Sequence, residues 1–185
     1  MGIDLIAGGR SKKTVKRTTK STDPYHQLLH KLYHHLAHRT GNKFNKAIAH
    51  RLTQSKSVRA PLSLSKVSRF LAGREDKVAV VVATVTNDVR LLDVPKLKVA
   101  ALRFTETARA RINKAGGQCL NLDEIAAKFP TGKGTVLLRG PKSHRTANKY
   151  FGTPPGVIHS HTRPRTLTRR SERNRGFKGQ LRHKH

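Results

Sequence analysis

Acidic side chains are scarce in this sequence. Its 185 residues include ten Asp and Glu against 39 Lys and Arg, which gives a net charge of +29 and a pI of about 11.6. Catalysis normally needs a tuned acid–base pair or an activated nucleophile, and so few carboxylates supply no convincing pair. So large a charge on a small chain also repels itself and needs a polyanion nearby. We therefore expect a binding protein, not an enzyme, with no cofactor and no small-molecule substrate.

Cysteine and long apolar runs are also nearly missing. Cys119 is the one cysteine, so no internal disulfide is possible, and we expect this side chain to be a small core residue. No apolar run approaches the roughly 20 residues of a membrane-spanning helix. Hydrophobic residues make up 35% of the chain, so part of it cannot bury enough surface to fold alone. We expect a soluble, intracellular chain with no membrane partner.

The apolar residues that are present concentrate in Val78–Val85, where five of the eight residues are Val. A short β-branched run without polar alternation predicts a strand covered on both faces, as at the centre of an α/β sheet. Strand and helix signals alternate around it, which favours the α/β class. The other predicted strands are Pro95–Phe104, Cys119–Leu120 and Thr135–Leu138; the predicted helices run from Pro24 to Gly41, over Lys43–Gln54, from Ser63 to Gly73, from Thr105 as a cap past Ile112, and from Asn121 as a cap to Phe129.

The first helix carries two sets of residues at helical spacing. Its apolar residues predict the buried face: Tyr25, Leu28, Leu29, Leu32, Tyr33 and Leu36. Four histidines lie on the opposite side and predict an exposed stripe: His26, His30, His34 and His38. Histidines at i and i+4 can bind zinc, but no Cys or acidic residue nearby completes a site. We predict a polar or RNA-facing stripe and no metal.

The charge is unevenly distributed along the chain. Residues 77–124 hold eight Lys and Arg against five acids, while the other 137 residues hold 31 against five. The balanced stretch predicts the folded centre, and the remainder predicts a basic surface with basic tails. We expect a basic N-terminal arm over residues 1–22, a helical lead-in with an α/β core over 23–141, and a basic extended C-terminal tail over 142–185.

The arm and the tail carry the strongest functional signal. Arginines in the tail alternate with Thr, Ser, Asn and Gly, and Arg presents a planar donor fork to phosphate and stacks on bases. This composition favours recognition of phosphate and shape over a base code. The predicted RNA-binding residues are Arg10, Lys12, Lys13, Lys16, Arg17, Lys56, Arg59, Arg139, Lys142, His144, Arg145, Lys149, His159, His161, Arg163, Arg165, Arg169, Arg170, Arg173, Arg175, Lys178 and Arg182.

Six blocks of sequence, in one order, resemble a known family. They are residues 1–4 (MGID), 61–66 (PLSLSK), 94–99 (VPKLKV), 115–117 (AGG), 134–141 (GTVLLRGP) and 159–164 (HSHTRP). The resemblance is to the eukaryotic large-subunit ribosomal protein L-eighteen-e family, related to bacterial ribosomal protein L-fifteen. It implies a non-enzymatic structural protein that binds large-subunit ribosomal RNA beside neighbouring ribosomal proteins. It also implies a small core of irregular β-β-α turns, assembly in the nucleolus, and a mature site on the cytoplasmic ribosome.

Two other classes of basic protein stay open at this point. An RNA-processing factor is disfavoured by the missing carboxylates, and it would need turnover that a single substitution abolishes. A DNA-compacting chromatin protein would bind duplex DNA and folded ribosomal RNA with equal affinity.

Overall fold

The computed structural model describes residues 18–164, so predictions for residues 1–17 and 165–185 lie outside the described part. Residues 18–142 belong to one compact unit and residues 143–164 to a second. In chain order the elements are α1 (Pro24–Thr40), α2 (Lys43–Thr53), β1 (Leu62–Ser63), α3 (Leu64–Leu71), β2 (Val78–Thr86), β3 (Lys98–Phe104), α4 (Glu106–Lys114), β4 (Gln118–Leu120), α5 (Leu122–Lys128) and β5 (Thr135–Leu138), followed by 3-10 helices at Lys142–His144 and Thr146–Tyr150. The prediction of an α/β fold is confirmed.

Strand β2 is the centre of a parallel sheet. β3 pairs with one edge of β2, and β4 pairs with β3 in turn. β1 and β5 also pair with β2. Because β3 fills one edge, β5 and β1 lie one after the other along the opposite edge. The predicted central strand is therefore confirmed, and every residue from Val78 to Ala83 is buried, as expected of a parallel strand covered on both faces.

Alternate side chains of β2 enter two separate hydrophobic clusters. One cluster packs under α3 and α4 and includes Ala79, Val81, Ala83 and Val85. The other packs under α1, α2 and α5 and includes Val78, Val80 and Val82. The absence of polar alternation in this strand follows from having helices on both sides of the sheet.

Helix α1 begins and ends where the sequence predicts, but it buries a different face. The Asp23 carboxylate accepts a hydrogen bond from the Tyr25 N–H at 3.0 Å. His26 and His30 are buried with 7% exposure each, whereas Tyr25 is 80% exposed and Leu28 is 65% exposed. The prediction of an exposed histidine stripe is thus wrong for His26 and His30. The predicted apolar face is wrong for Tyr25, Leu28 and Leu32, which are exposed.

Hydrogen bonds from α1 to its neighbouring helices fix which face of α1 is buried. His26 Nε2 lies 3.1 Å from the Leu52 carbonyl oxygen at the end of α2. The Tyr33 hydroxyl donates to the Leu122 carbonyl oxygen at 2.6 Å. Buried polar groups are tolerated when they find such partners. Ala37, also buried, adds a small side chain that lets α2 approach closely.

Smaller features of the core differ from the prediction in two places. Strand β1 was not predicted, because two residues carry no readable period. Thr105 occupies the cap position of α4, but its side chain makes no capping hydrogen bond. Cys119 is partly buried against the cluster under α3 and α4, and burial raises the pKa of its thiol; both observations agree with a packing role.

Candidate nucleic-acid interface

The structure describes ten of the predicted RNA-binding residues. Four lie in the unit that contains the sheet: Lys56, Arg59, Arg139 and Lys142. Six lie in the second unit: His144, Arg145, Lys149, His159, His161 and Arg163. The others fall outside the described residues: Arg10, Lys12, Lys13, Lys16, Arg17, Arg165, Arg169, Arg170, Arg173, Arg175, Lys178 and Arg182.

Arg59 and Arg139 lie near the gap between β5 and β1 on the same edge of β2. β5 pairs with β2 up to Val81, and β1 pairs with it from Val85 onward. Just beyond β5, Gly140 approaches the backbone that leads into β1 so closely that a Cβ atom there would lie 2.3 Å from the Ala60 carbonyl oxygen. This contact joins the chain segments that carry Arg139 and Arg59, and both side chains line one small cavity.

Arg51 completes the cluster, although the sequence did not single it out. Its Nη1 donates to the Leu138 carbonyl oxygen at 2.5 Å, which fixes the last turn of α2 against the end of β5. Arg139 Nη2 donates to the Gln54 side-chain oxygen at 3.3 Å. In the sequence, nothing distinguishes Arg51 from an ordinary solvent-exposed cation on a helix. Only the fold places it beside Arg59 and Arg139, and we call these three residues the arginine cluster.

The electrostatics of the arginine cluster favour an anion. Burial lowers the pKa of Arg51, and the nearby charge of Arg139 lowers it further; burial also lowers the pKa of Arg59. The Arg59 Nε is buried and has no hydrogen-bond partner within the described residues. No carboxylate lines the cavity around them. Like charges held together with incomplete solvation are stabilised by a bound anion.

A larger groove lies between α1 and the carboxyl ends of β2 and β3, on another side of Arg59. Its volume is about 570 Å³. Lys56, Arg59 and Arg103 supply its cations, and Tyr25 and Leu28 supply an exposed apolar wall. Carboxylates also line it, at Asp23 and Asp123. Cations beside an exposed aromatic ring suit a nucleic-acid strand, which offers phosphates and base faces together.

The second unit presents its predicted residues on hydrogen-bonded turns. The Arg163 N–H donates to the Lys149 carbonyl oxygen at 2.7 Å. Ser160 Oγ donates to the Thr153 carbonyl oxygen at 2.9 Å. His159 adopts a left-handed conformation with φ of 62°. The six predicted residues of this unit are all exposed, so their side chains are accessible to a partner.

Residues 18–164 contain neither a cluster of metal-ligating side chains nor a membrane-spanning helix. No three His, Cys, Asp or Glu side chains in this range come together in a way that could hold a metal ion. No helix in the same range is long and apolar enough to cross a membrane.

The chain is similar in sequence to proteins of the large ribosomal subunit. The family model described as "Ribosomal protein 60S L18 and 50S L18e" matches residues 2–185. Large ribosomal subunit protein eL18z of Arabidopsis thaliana is 54% identical over 187 residues, covering 96% of this chain and 100% of the relative. Large ribosomal subunit protein eL18 of Cicer arietinum is 54% identical over 94% of this chain and 95% of its own length. The protein of the same name from Taenia asiatica is 50% identical over 94% and 97%.

The family model spans nearly the whole chain, and the identity to full-length relatives is high over almost all of both sequences. Members of this family are structural, non-enzymatic components of the large ribosomal subunit. The chain therefore belongs to the family of ribosomal proteins 60S L18 and 50S L18e.

Proposed function

We propose that this protein binds large-subunit ribosomal RNA as a structural constituent of the subunit, through contacts between its Lys and Arg side chains and RNA phosphates. The arginine cluster is the observation that carries this proposal. Arg51, Arg59 and Arg139 line one small cavity that has no carboxylate in its lining, and the charge of Arg139 acts on Arg51. A phosphate would supply the missing negative charge and hydrogen-bond acceptors.

Charge neutralisation is the mechanism of this binding. Lys and Arg displace counterions that are condensed on RNA, so that neighbouring RNA helices can pack. Few acidic side chains compete with RNA for the cations of this protein. Among the residues that the structure describes, one ion pair forms, between Lys128 and Glu124 at 3.2 Å. Arg51 is held by the Leu138 carbonyl group, so less side-chain freedom is lost when it meets a phosphate.

The remaining predicted contacts lie partly in the unit that contains the sheet and partly in the second unit. Lys56 lies in the loop that leads to Arg59, and the exposed residues of the second unit add further cations. Neighbouring ribosomal proteins are the expected protein partners, as the names of the relatives suggest. Assembly in the nucleolus and a final site on the cytoplasmic ribosome follow from that role.

The salt dependence of RNA binding tests the proposal. If the protein neutralises about 6–10 phosphates, its affinity for deproteinised large-subunit RNA falls roughly 10³–10⁵-fold between about 50 and 200 mM salt. The double variant R59Q/R139Q should reduce the slope of log K against log salt by about 2, because two phosphate contacts are lost. Filter binding or fluorescence anisotropy over a salt series measures both effects.

The matched control removes the same charge elsewhere. Lys96 and Lys114 are exposed and do not line the cavity of the arginine cluster, so K96Q/K114Q should keep the slope of the unchanged protein. A flat salt response of the unchanged protein would contradict phosphate binding. Equal losses in the two double variants would contradict the assignment of the arginine cluster. Equal affinity for duplex DNA would point to a chromatin protein instead.

A further inference from the structure

Helix α1 also lines a second cationic surface, which is separate from the arginine cluster. A depression of about 900 Å³ lies along α1 and the segment before it. Its lining contains two permanent cations, Lys31 and Arg39, and no acid. It also contains four histidines: His30, His34, His35 and His38. His30 is the buried member of this set, and the other three are exposed.

We infer that this depression, which we call the histidine face, binds RNA phosphates and that it takes up protons as it does so. The inference rests on the proposed function and names one surface of it. Histidine is the side chain whose charge changes between about pH 5 and pH 8. An RNA phosphate beside it favours the protonated form, so binding and proton uptake are linked.

The charges around the histidine face support this assignment. The packed helix α2 brings Lys43, Lys46, His50 and Arg51 and no acid. The packed helix α5 brings Asp123, Glu124 and Lys128. Glu124 is paired with Lys128, and the Asp123 charge acts on the Tyr33 hydroxyl. The Asp23 carboxylate accepts the capping hydrogen bond at the start of α1.

The histidines repel one another when they are protonated, which strengthens the link to an anion. The rings of His30 and His34 lie 5.9 Å apart between centroids. Burial lowers the pKa of His30, and the charges of His34 and His26 lower it further. His30 is therefore set apart by its burial, whereas His34, His35 and His38 are exposed and can meet a phosphate. A phosphate beside the depression would offset the repulsion between His30 and His34 by supplying negative charge.

The full-length chain and two triple variants test the inference with deproteinised large-subunit RNA as the probe. H34Q/H35Q/H38Q removes the titrating groups, and H34R/H35R/H38R replaces them with permanent cations. The ratio of affinity at about pH 6 to that at about pH 8 should be about tenfold larger for the unchanged protein than for the Gln variant, as expected when RNA shifts one histidine by a pKa unit. The Arg variant should show the smaller ratio of the Gln variant together with tighter binding at pH 8.

His50 supplies a control for the pH ratio alone, because it is exposed on α2 and does not line the depression. Its ring contacts the Gln54 amide, which accepts a hydrogen bond from Arg139, so the absolute affinity of H50Q is not compared. The variant H50Q should keep the pH ratio of the unchanged protein. Calorimetry in buffers of different ionisation enthalpy gives a second readout, since the Gln variant should take up fewer protons per RNA bound. Circular dichroism at both pH values checks that each variant is folded.

The outcomes separate this inference from the proposed function. If the unchanged protein binds RNA at pH 8 with a steep salt dependence and the Gln variant has the same pH ratio and proton uptake, only the histidine face is overturned. If the unchanged protein shows no salt-dependent RNA binding at pH 8, the proposed function fails as well.

Discussion

At the scale of the residue, Gly140 illustrates how backbone contact builds a charged surface. A Cβ atom at this position would lie 2.3 Å from the Ala60 carbonyl oxygen and 2.6 Å from the Pro61 carbonyl oxygen. Both neighbours are backbone atoms, which cannot turn aside as a flexible side chain could. Arg139 and Arg59 directly precede the two backbone segments in contact, so the spacing of the backbone at these two arginines depends on a residue that has no side chain.

The substitution Gly140→Ala should therefore affect stability and RNA binding together. Overpacking of this kind costs about 1–3 kcal/mol of the free energy of unfolding, and the shifted segments should separate Arg59 from Arg139. Urea unfolding measures the first effect, and RNA affinity at fixed salt measures the second. Gly41→Ala is the control, because nothing lies within 4 Å of the added atom. Its left-handed backbone makes some loss of stability certain, but its RNA affinity should stay unchanged. An unaltered unfolding midpoint for Gly140→Ala would contradict the close contact.

At the scale of the element, Tyr33 connects α1 to α5. Its ring is fully buried, and its hydroxyl donates to the Leu122 carbonyl oxygen at 2.6 Å. Burial, with a contribution from the Asp123 charge, raises the pKa of this hydroxyl, so it remains a donor at any physiological pH. The contact holds α1 in the orientation that exposes Tyr25 and the histidine face.

Tyr33→Phe should lower the free energy of unfolding by about 0.5–1.5 kcal/mol, because it removes the buried hydrogen bond from the Tyr33 hydroxyl to the Leu122 carbonyl oxygen. Tyr25→Phe is the matched control. Its side chain is 80% exposed, so the same chemical change should alter stability by less than about 0.5 kcal/mol. Chemical unfolding followed by circular dichroism compares the two variants. Equal effects would show that the packing of α1 differs from the one described.

The sequence predicted where the main elements lie better than it predicted which way α1 faces. The Val run, Asp23 with Pro24, and Gly41 are local signals, and each placed its strand or helix end correctly. The face of α1 depends on the Leu52 and Leu122 carbonyl groups, which lie on other elements. No periodicity within α1 encodes these partners, and so two buried histidines appeared to be solvent-exposed.

At the scale of the whole molecule, the basic charge is arranged around a conventional core. Two hydrophobic clusters cover both faces of the sheet, while the arginine cluster and the histidine face lie outside them. The excess of cations could be predicted from composition, and the scarcity of carboxylates disfavoured acid–base catalysis. The convergence of Arg51, Arg59 and Arg139 was not readable, because it requires the ends of α2, β5 and the segment before β1 to meet.

We propose that this protein is an integral, RNA-bound component of the large ribosomal subunit. Sucrose-gradient sedimentation of a cell lysate at moderate and at high salt, with the protein detected in every fraction, tests this proposal most directly. We expect the protein to sediment with large subunits and to stay with them through the high-salt wash, because many phosphate contacts act together in the assembled particle. Recovery of the protein at the top of the gradient at both salt concentrations would contradict its role as an integral component of the subunit.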